Sequence, residues 1–406
     1  MRVIVAPDSF KENMDAATAA RHIVAGIRRV DPSVECVEVP IADGGEGLVD
    51  VLLAPLEAEL VDVAVTGPMG TLVRAPYGWS ARTHTAVIEV ASACGIHLVP
   101  RGVRDIWRAS TFGVGELLAD ARARGARRLI IGLGGSVTND GGAGALAALG
   151  ARLVSDEGDP RGRVPPVSAE SSAATPAGGP VGSPGFLRRV GSVDVSGMEA
   201  WPDIEVILAC DVTNPMCGPD GASAVFGPQK GASPEDVPLL DDVLRHWTGL
   251  LERATGRPLM DVPGAGAAGG LGGALLAGLG ADVRSGIEVV LDLTGFRDLV
   301  ATADLTITGE GRMDAQTLSG KAPWGVQQAS AAAGVPTIAF CGIKGPGAEA
   351  LDRPGRFAAV VEICDPATPL DEALANGPRN IADTAERVFR RICAGGLPAL
   401  HEVISR

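Results

Sequence analysis

Short apolar runs alternate with helix-period segments at both ends of the chain. Residues 2–6 predict a first strand: Val3-Ile4-Val5-Ala6 is a continuous apolar run of the kind a strand buried on both faces requires. Residues 15–29 change period: Ala16, Ala20, Ile23, Val24 and Ile27 share one helical face. Residues 34–39 predict a second strand. It ends in Ile41-Ala42-Asp43-Gly44-Gly45-Glu46-Gly47, a glycine-rich turn that leads into a short helix through Leu48, Val51 and Leu52. From Leu60 to Val90 the pattern alternates with period two and is broken by Gly67-Pro68-Met69-Gly70 and Tyr77-Gly78, which predicts antiparallel strands. Apolar runs followed by helical segments return at 304–308, 336–341 and 357–363.

The two ends of the chain thus share a parallel α/β signature that the middle interrupts. The layout predicts an α/β protein of two α/β domains with a ligand cleft between them. One is a doubly wound, Rossmann-like parallel sheet assembled discontinuously from residues 1–66 and 290–406; the other is a mixed α/β domain, 67–289, inserted into it. Within the insert, 128–133 and 204–210 predict strands and 143–149 a helix. Ser233-Pro234-Glu235-Asp236 predicts the start of a long helix, with a capping serine, a proline at the first helical position and first-turn acids; Gly256 ends it. Residues 168–185 hold almost no large apolar side chain, so they predict a surface loop without chemistry, within a flexible stretch at about 156–200.

Composition narrows the function. A chain of 406 residues suffices for two or three domains with their own cores, and 55 glycines with 29 prolines stay below the share that marks disorder. Acidic residues outnumber basic ones, 49 to 35, and the net charge of −14 repels nucleic acid and anionic membrane. The start of the chain lacks a basic leader with a long apolar segment, and no run approaches the ~18 apolar residues of a membrane span, so the expectation is a cytoplasmic protein. Cysteines 36, 94, 210, 217, 341, 364 and 393 are scattered without a C-x-x-C pair and read as reduced thiols; with isolated histidines they argue against a structural zinc site.

Candidate chemistry sits in turns. Asp8-Ser9-Phe10-Lys11, Asp43-Gly44-Gly45-Glu46, the 134–142 segment GGSVTNDGG, Asp211-Val212-Thr213-Asn214 and Gly309-Glu310-Gly311-Arg312-Met313-Asp314 combine glycines, carboxylates and cations or amides, mostly after an apolar strand. Any one of them alone reads as a helix-capping turn; together they point to a polyanion site, since acids beside backbone donors can hold Mg²⁺ and the phosphates it neutralises. Lysine occurs only at 11, 230, 321 and 344, each in or beside a Gly/Pro-containing turn, where a compact ammonium suits a phosphate or carboxylate approached as a point charge. Gly264, Gly266 and Gly269 match G-x-G-x-x-G, but Pro263 and a polar stretch precede them where a dinucleotide fold needs a strand. The readings left open are close packing, anion binding and, from another functional class, a nicotinamide-dependent dehydrogenase or a non-catalytic binder of a small acid.

Six segments, APDSFK (6–11), PIADGGEG (40–47), GLGGSVTNDGGAG (132–144), ACDVTNPMCGPDGASAVFGPQKGA (209–232), PGAGAAGGLGGAL (263–275) and ITGEGRMDAQTLSGKAP (307–323), closely resemble the bacterial type-1 glycerate kinase family over essentially the whole chain. The resemblance implies transfer of the γ-phosphoryl group of ATP, with Mg²⁺, to D-glycerate. The expected product is 2-phosphoglycerate, with 3-phosphoglycerate as the alternative, and the expected form is a monomer or homodimer. On that reading Asp211, Asp314 and Lys321 are the catalytic candidates, and Glu310 and Glu46 the metal candidates. Asp8, Ser9, Lys11, Asp43, Gly44, Gly45, Asn214, Lys230 and Arg312 are candidates for substrate or phosphate; Gly134, Gly135, Ser136, Asn139, Asp140, Gly264, Gly266 and Gly269 are candidates for nucleotide. One departure from the family pattern is Glu12-Asn13 in place of Gly-Ser, which puts a negative charge beside Lys11.

Overall fold

The computed structural model describes residues 1–155, 179–198, 201 and 203–395. Its strands are β1 (Arg2–Pro7), β2 (Glu35–Glu38), β3 (Glu59–Thr66), β4 (Leu72–Ser80), β5 (Thr85–Glu89), β6 (Arg128–Gly132), β7 (Arg152–Ser155), β8 (Val190–Asp194), β9 (Glu205–Ala209), β10 (Asp282–Arg284), β11 (Leu305–Met313), β12 (Thr337–Lys344) and β13 (Ala359–Glu362). The chain divides into two compact units. The first comprises Met1–Asp43, Asp50–Pro55 and the segment from Ser285 onward; the second comprises Gly44–Val49 and Leu56–Arg284.

The first unit holds a five-stranded sheet in the order β13-β12-β11-β1-β2, with every neighbouring pair parallel. Its central strands are buried along most of their length because both faces are covered. Val3, Val5, Ile307, Ile338 and Phe340 pack with Ile23 and Ile27 of the helix Ala16–Val30 and with Ile381 and Phe389 of the helix Gly377–Gly395. Asp15 caps the first of these helices by accepting the Thr18 N–H at 2.6 Å. The strand order reverses between β1 and β11: β2 follows β1 to one side, while β12 and β13 follow β11 to the other. Such a reversal opens a crevice at the carboxyl ends of the two central strands, the usual ligand position in an open α/β sheet.

The second unit holds a six-stranded sheet in the order β10-β9-β6-β5-β4-β3. Strands β5, β6, β9 and β10 run parallel; β4 is antiparallel to both of its neighbours. A separate hairpin pairs β7 with β8.

Several sequence expectations change here. β3 lies within the 1–66 segment assigned to the first domain, yet its eight-residue register with β4 makes it the edge of the second sheet; the helix Gly286–Leu293 belongs with the first unit. The long helix is Asp236–Thr255, and Ser233 stands before it in a reciprocal cap: Ser233 N–H donates to Asp236 Oδ2 at 2.9 Å and Asp236 N–H to Ser233 Oγ at 3.2 Å. Residues 309–313, read as a turn, continue β11, because β12 runs alongside and pairs Glu310 with Cys341 and Arg312 with Ile343. Of the flexible stretch at 156–200, residues 156–178, 199 and 200 lie outside the described residues. Residues 179–198 are folded: the helix Pro184–Leu187 and β8 form there, with Ser183 and Leu187 fully buried. Small residues pack this segment by close backbone approach, a mode that a count of large apolar side chains misses. Among the described residues, no helix is long and apolar enough to cross a membrane.

Candidate active site

In the first unit, the three adjacent strands β11, β1 and β2 each contain or lead into a carboxylate. Asp8 follows β1, where its N–H donates to the Gly309 carbonyl of β11 at 2.8 Å; Glu310 is the next residue of β11, and Asp43 lies beyond β2. Asp8 and Glu310 therefore flank the reversal of strand order. Burial, followed by the nearby Asp43 charge, pushes the Asp8 carboxyl up to about 8; the Ser9 N–H, donating to Asp8 Oδ1 at 2.6 Å, opposes this, Glu310 adds to it, and Lys11 opposes it. A group this heavily desolvated among like charges takes up a proton or a cation readily.

Glu310 is held differently. It is 9% exposed; Oε1 accepts the Thr317 hydroxyl at 2.9 Å, and Oε2 pairs with Lys321 Nζ at 3.3 Å. Burial raises its pKa, and Lys321 and Thr317 act against that shift. Lys321 also reaches the Arg312 carbonyl at 3.4 Å. Arg312 is exposed and donates from Nε to Asp314 Oδ2 at 3.2 Å. Asp314 caps the short 3₁₀ helix Ala315–Ser319: Oδ1 accepts the Gln316 N–H at 3.0 Å, and its own N–H donates to Thr317 Oγ1 at 3.1 Å. Thr317 joins the cap to Glu310 and escaped the sequence reading; its only signal was its place in the 307–323 motif.

The second unit gathers the other candidates around the loop after β6. Asp140, expected to meet nucleotide, is fully buried and turned into its own loop. Oδ2 accepts the Thr111 N–H and hydroxyl, both at 2.8 Å, and the Gly144 N–H at 3.3 Å; Oδ1 accepts the Gly142 N–H at 3.1 Å. Asn139 is equally buried and donates to Ser223 Oγ at 2.9 Å. Lys230, expected to meet substrate or phosphate, is 3% exposed and donates inward, to the Thr138 carbonyl at 2.7 Å and to Ser136 Oγ at 3.1 Å. Gly134 and Gly135 are the parts of the loop left half-buried and exposed. Gly264, Gly266 and Gly269 are buried: a Cβ at Gly269 would stand 2.1 Å from the Thr138 carbonyl oxygen, and one at Gly266 2.1 Å from that of Pro215. Close packing is thus the reading these glycines support, and the residues ahead of Gly264 form turns where the dehydrogenase alternative required a strand.

Gly44 and Gly45 allow the 44–47 turn to lie on the ends of β6 and β9; a Cβ at Gly44 would meet the Ala209 carbonyl oxygen at 2.7 Å. Glu46 is exposed, and Asp211 is half-buried beyond β9. Asn214 donates to the Asp220 carbonyl at 2.8 Å and its own carbonyl accepts the Gly266 N–H at 3.0 Å. Among the described residues, no group of three or more His, Cys, Asp or Glu side chains is arranged to hold a metal ion.

Residues 3–393 match the Glycerate kinase family. The chain belongs to that family. Relatives in the glycerate kinase family include the glycerate kinase of Bacillus subtilis (strain 168), 42% identical over 395 residues that cover 97% of each chain. The glycerate 2-kinase of Escherichia coli (strain K12) is 39% identical over 396 residues, 97% of this chain and 99% of that one. A crystal structure from Salmonella typhimurium LT2, described as a candidate glycerate kinase 2, superposes with a TM-score of 0.81 at 39% identity and covers 97% of this chain and 99% of its own.

Proposed function

We propose that the protein transfers the γ-phosphoryl group of ATP to the 2-hydroxyl of D-glycerate, giving 2-phosphoglycerate and ADP. The family match over residues 3–393 supports the kinase reading, and the near-full-length E. coli relative named glycerate 2-kinase supports the position of attack. The observation that carries the chemistry is the pairing of a desolvated carboxylate, Asp8, with the buried Glu310–Lys321 ion pair at the reversal point of the first sheet.

In this reading Asp8 accepts the hydroxyl proton, because a carboxyl pushed up to about 8 lies near the pH at which a general base works best. We assign that role to Asp8 in place of Asp314, whose carboxylate is engaged by Gln316 and Arg312. Lys321, oriented by Glu310, neutralises charge on the transferring group, with Lys11 and Arg312 as further cations of the same unit. Gly134 and Gly135 of the β6 loop are the nucleotide-phosphate candidates of the second unit; Ser136, also expected there, is buried with its hydroxyl on Lys230.

Mg²⁺ fits the first unit's excess of carboxylate, and when bound it neutralises the nucleotide phosphates. Asp43 is the residue we assign to hold it. Glu310, expected as a ligand, is better explained as the group that holds Lys321. Seven cysteines, all free, support a reducing, cytoplasmic setting. A coupled assay of ADP formation with D-glycerate, ATP and Mg²⁺ tests the proposal: glycerate-dependent ADP release is expected, and its absence from folded protein would reject it.

A further inference from the structure

The ammonium of Lys230 is buried and, among the described residues, pairs with no carboxylate. Its bonded partners are the Thr138 carbonyl and Ser136 Oγ, more than ninety residues away in sequence. The titratable groups that act on it are Cys94, whose thiol burial pushes up to about 12, and Asp140, whose oxygens are taken by Thr111, Gly142 and Gly144. Burying a cation without a paired anion is expensive, so a lysine held this way needs a return other than stability.

The surroundings identify what it holds. The Lys230 N–H donates to the Gly227 carbonyl at 2.9 Å. Arg104 braces the same turn, reaching the Gln229 and Ile96 carbonyls at 3.3 Å each, while the Ile96 N–H donates to the Gly135 carbonyl at 2.8 Å. The Asn139–Ser223 bond adds a second buried tie. The bonds to Gly135, Ser136, Thr138 and Asn139 grip the 135–139 segment from the protein side, the others brace the groups that hold it, and the exposed surface of the loop is left to its glycines.

We propose that Lys230 is a positioning residue: its buried ammonium fixes the β6 loop from beneath so that the loop's exposed face binds a phosphate-bearing ligand, which the ammonium itself does not touch. The inference rests on the reading that this loop takes the phosphates of the nucleotide. Its arrangement explains why a lysine is used although the cation is hidden. An apolar residue of equal length would leave the Thr138 carbonyl unpaired and the loop free to turn.

The test uses the full chain, with ADP as the probe. In wild type, ADP should slow amide hydrogen exchange in residues 133–142; no slowing there while ADP still binds means that the loop reading has failed, and the inference with it. In Lys230→Met, exchange of 134–139 without ligand should speed up tenfold or more, the Kd for ADP should weaken tenfold or more, and KM for D-glycerate should stay within twofold. Wild-type ADP affinity in this variant, with wild-type protection intact, overturns the inference and spares the loop reading. Weakened binding with unchanged exchange in the free protein also overturns it, because that is the signature of direct contact. If the methionine variant does not fold, Lys230→Gln, which retains an amide donor, is judged by the same criteria.

Discussion

Glu12 has φ +62°, a left-handed conformation that only glycine adopts without penalty. The glutamate where the family pattern has glycine therefore carries backbone strain in the turn after Lys11, and Glu12→Gly should stabilise the first unit by up to about 1 kcal/mol, read from denaturant unfolding. Asp8 makes the opposite compromise. Its pKa is raised from 3.8 to about 8, so between these values the native state binds more protons at this site than the unfolded chain, and the stability this group contributes at low pH is lost as pH rises through 8. Asp8→Asn should therefore unfold at a higher temperature than wild type at pH 8, with the gap closing toward pH 4. Lys321→Ala removes the partner of the buried Glu310 and should lower kcat/KM by about 10²–10³, with Lys321→Arg in between, since a planar guanidinium replaces a compact ammonium. Wild-type kinetics in both variants would remove Lys321 from the chemistry. The lysine pattern in the sequence drew attention to Lys321 and Lys230 alike; only burial separates an ammonium at the first unit's carboxylates from one locked beneath a loop.

The elements legible in the sequence were those with strong period. The amphipathic helix Ala16–Val30, the central strands of the parallel sheet and the Gly256 C-cap stand where the pattern put them. What the pattern could not reach was pairing: nothing within residues 59–66 says that they join β4 and not the first sheet. Nor did it reveal packing by backbone. Gly182 has φ +80°, and a Cβ there would lie 2.2 Å from the Gly144 nitrogen. Gly182→Ala should accordingly destabilise the second unit by about 2–4 kcal/mol, combining left-handed strain with overpacking, and a neutral unfolding curve would show the segment to be loosely held after all. The same reasoning explains Asp140: a carboxylate beside glycines looked like a ligand, and it is instead the acceptor that winds its own loop.

At the scale of the whole molecule, the chain order of the parallel sheet explains why Asp8 and Glu310, 302 positions apart, stand on neighbouring strands. The sequence located both motifs and implied their shared family, but their adjacency comes from the discontinuous assembly that sets β11 beside β1. Phosphorus NMR of the product formed from D-glycerate and ATP should show 2-phosphoglycerate; a 3-phosphoglycerate signal would move the attack to the terminal hydroxyl. The most direct test of the account is turnover of D-glycerate by wild type and Asp8→Asn under saturating ATP and Mg²⁺. Loss of a general base predicts a fall in kcat of about 10²–10⁴ in a folded variant, with the limb of the kcat/KM profile near pH 8 absent. Asp8→Asn turning over at the wild-type rate with the same pH profile would contradict the assignment of the reaction to the first unit's carboxylate–lysine site.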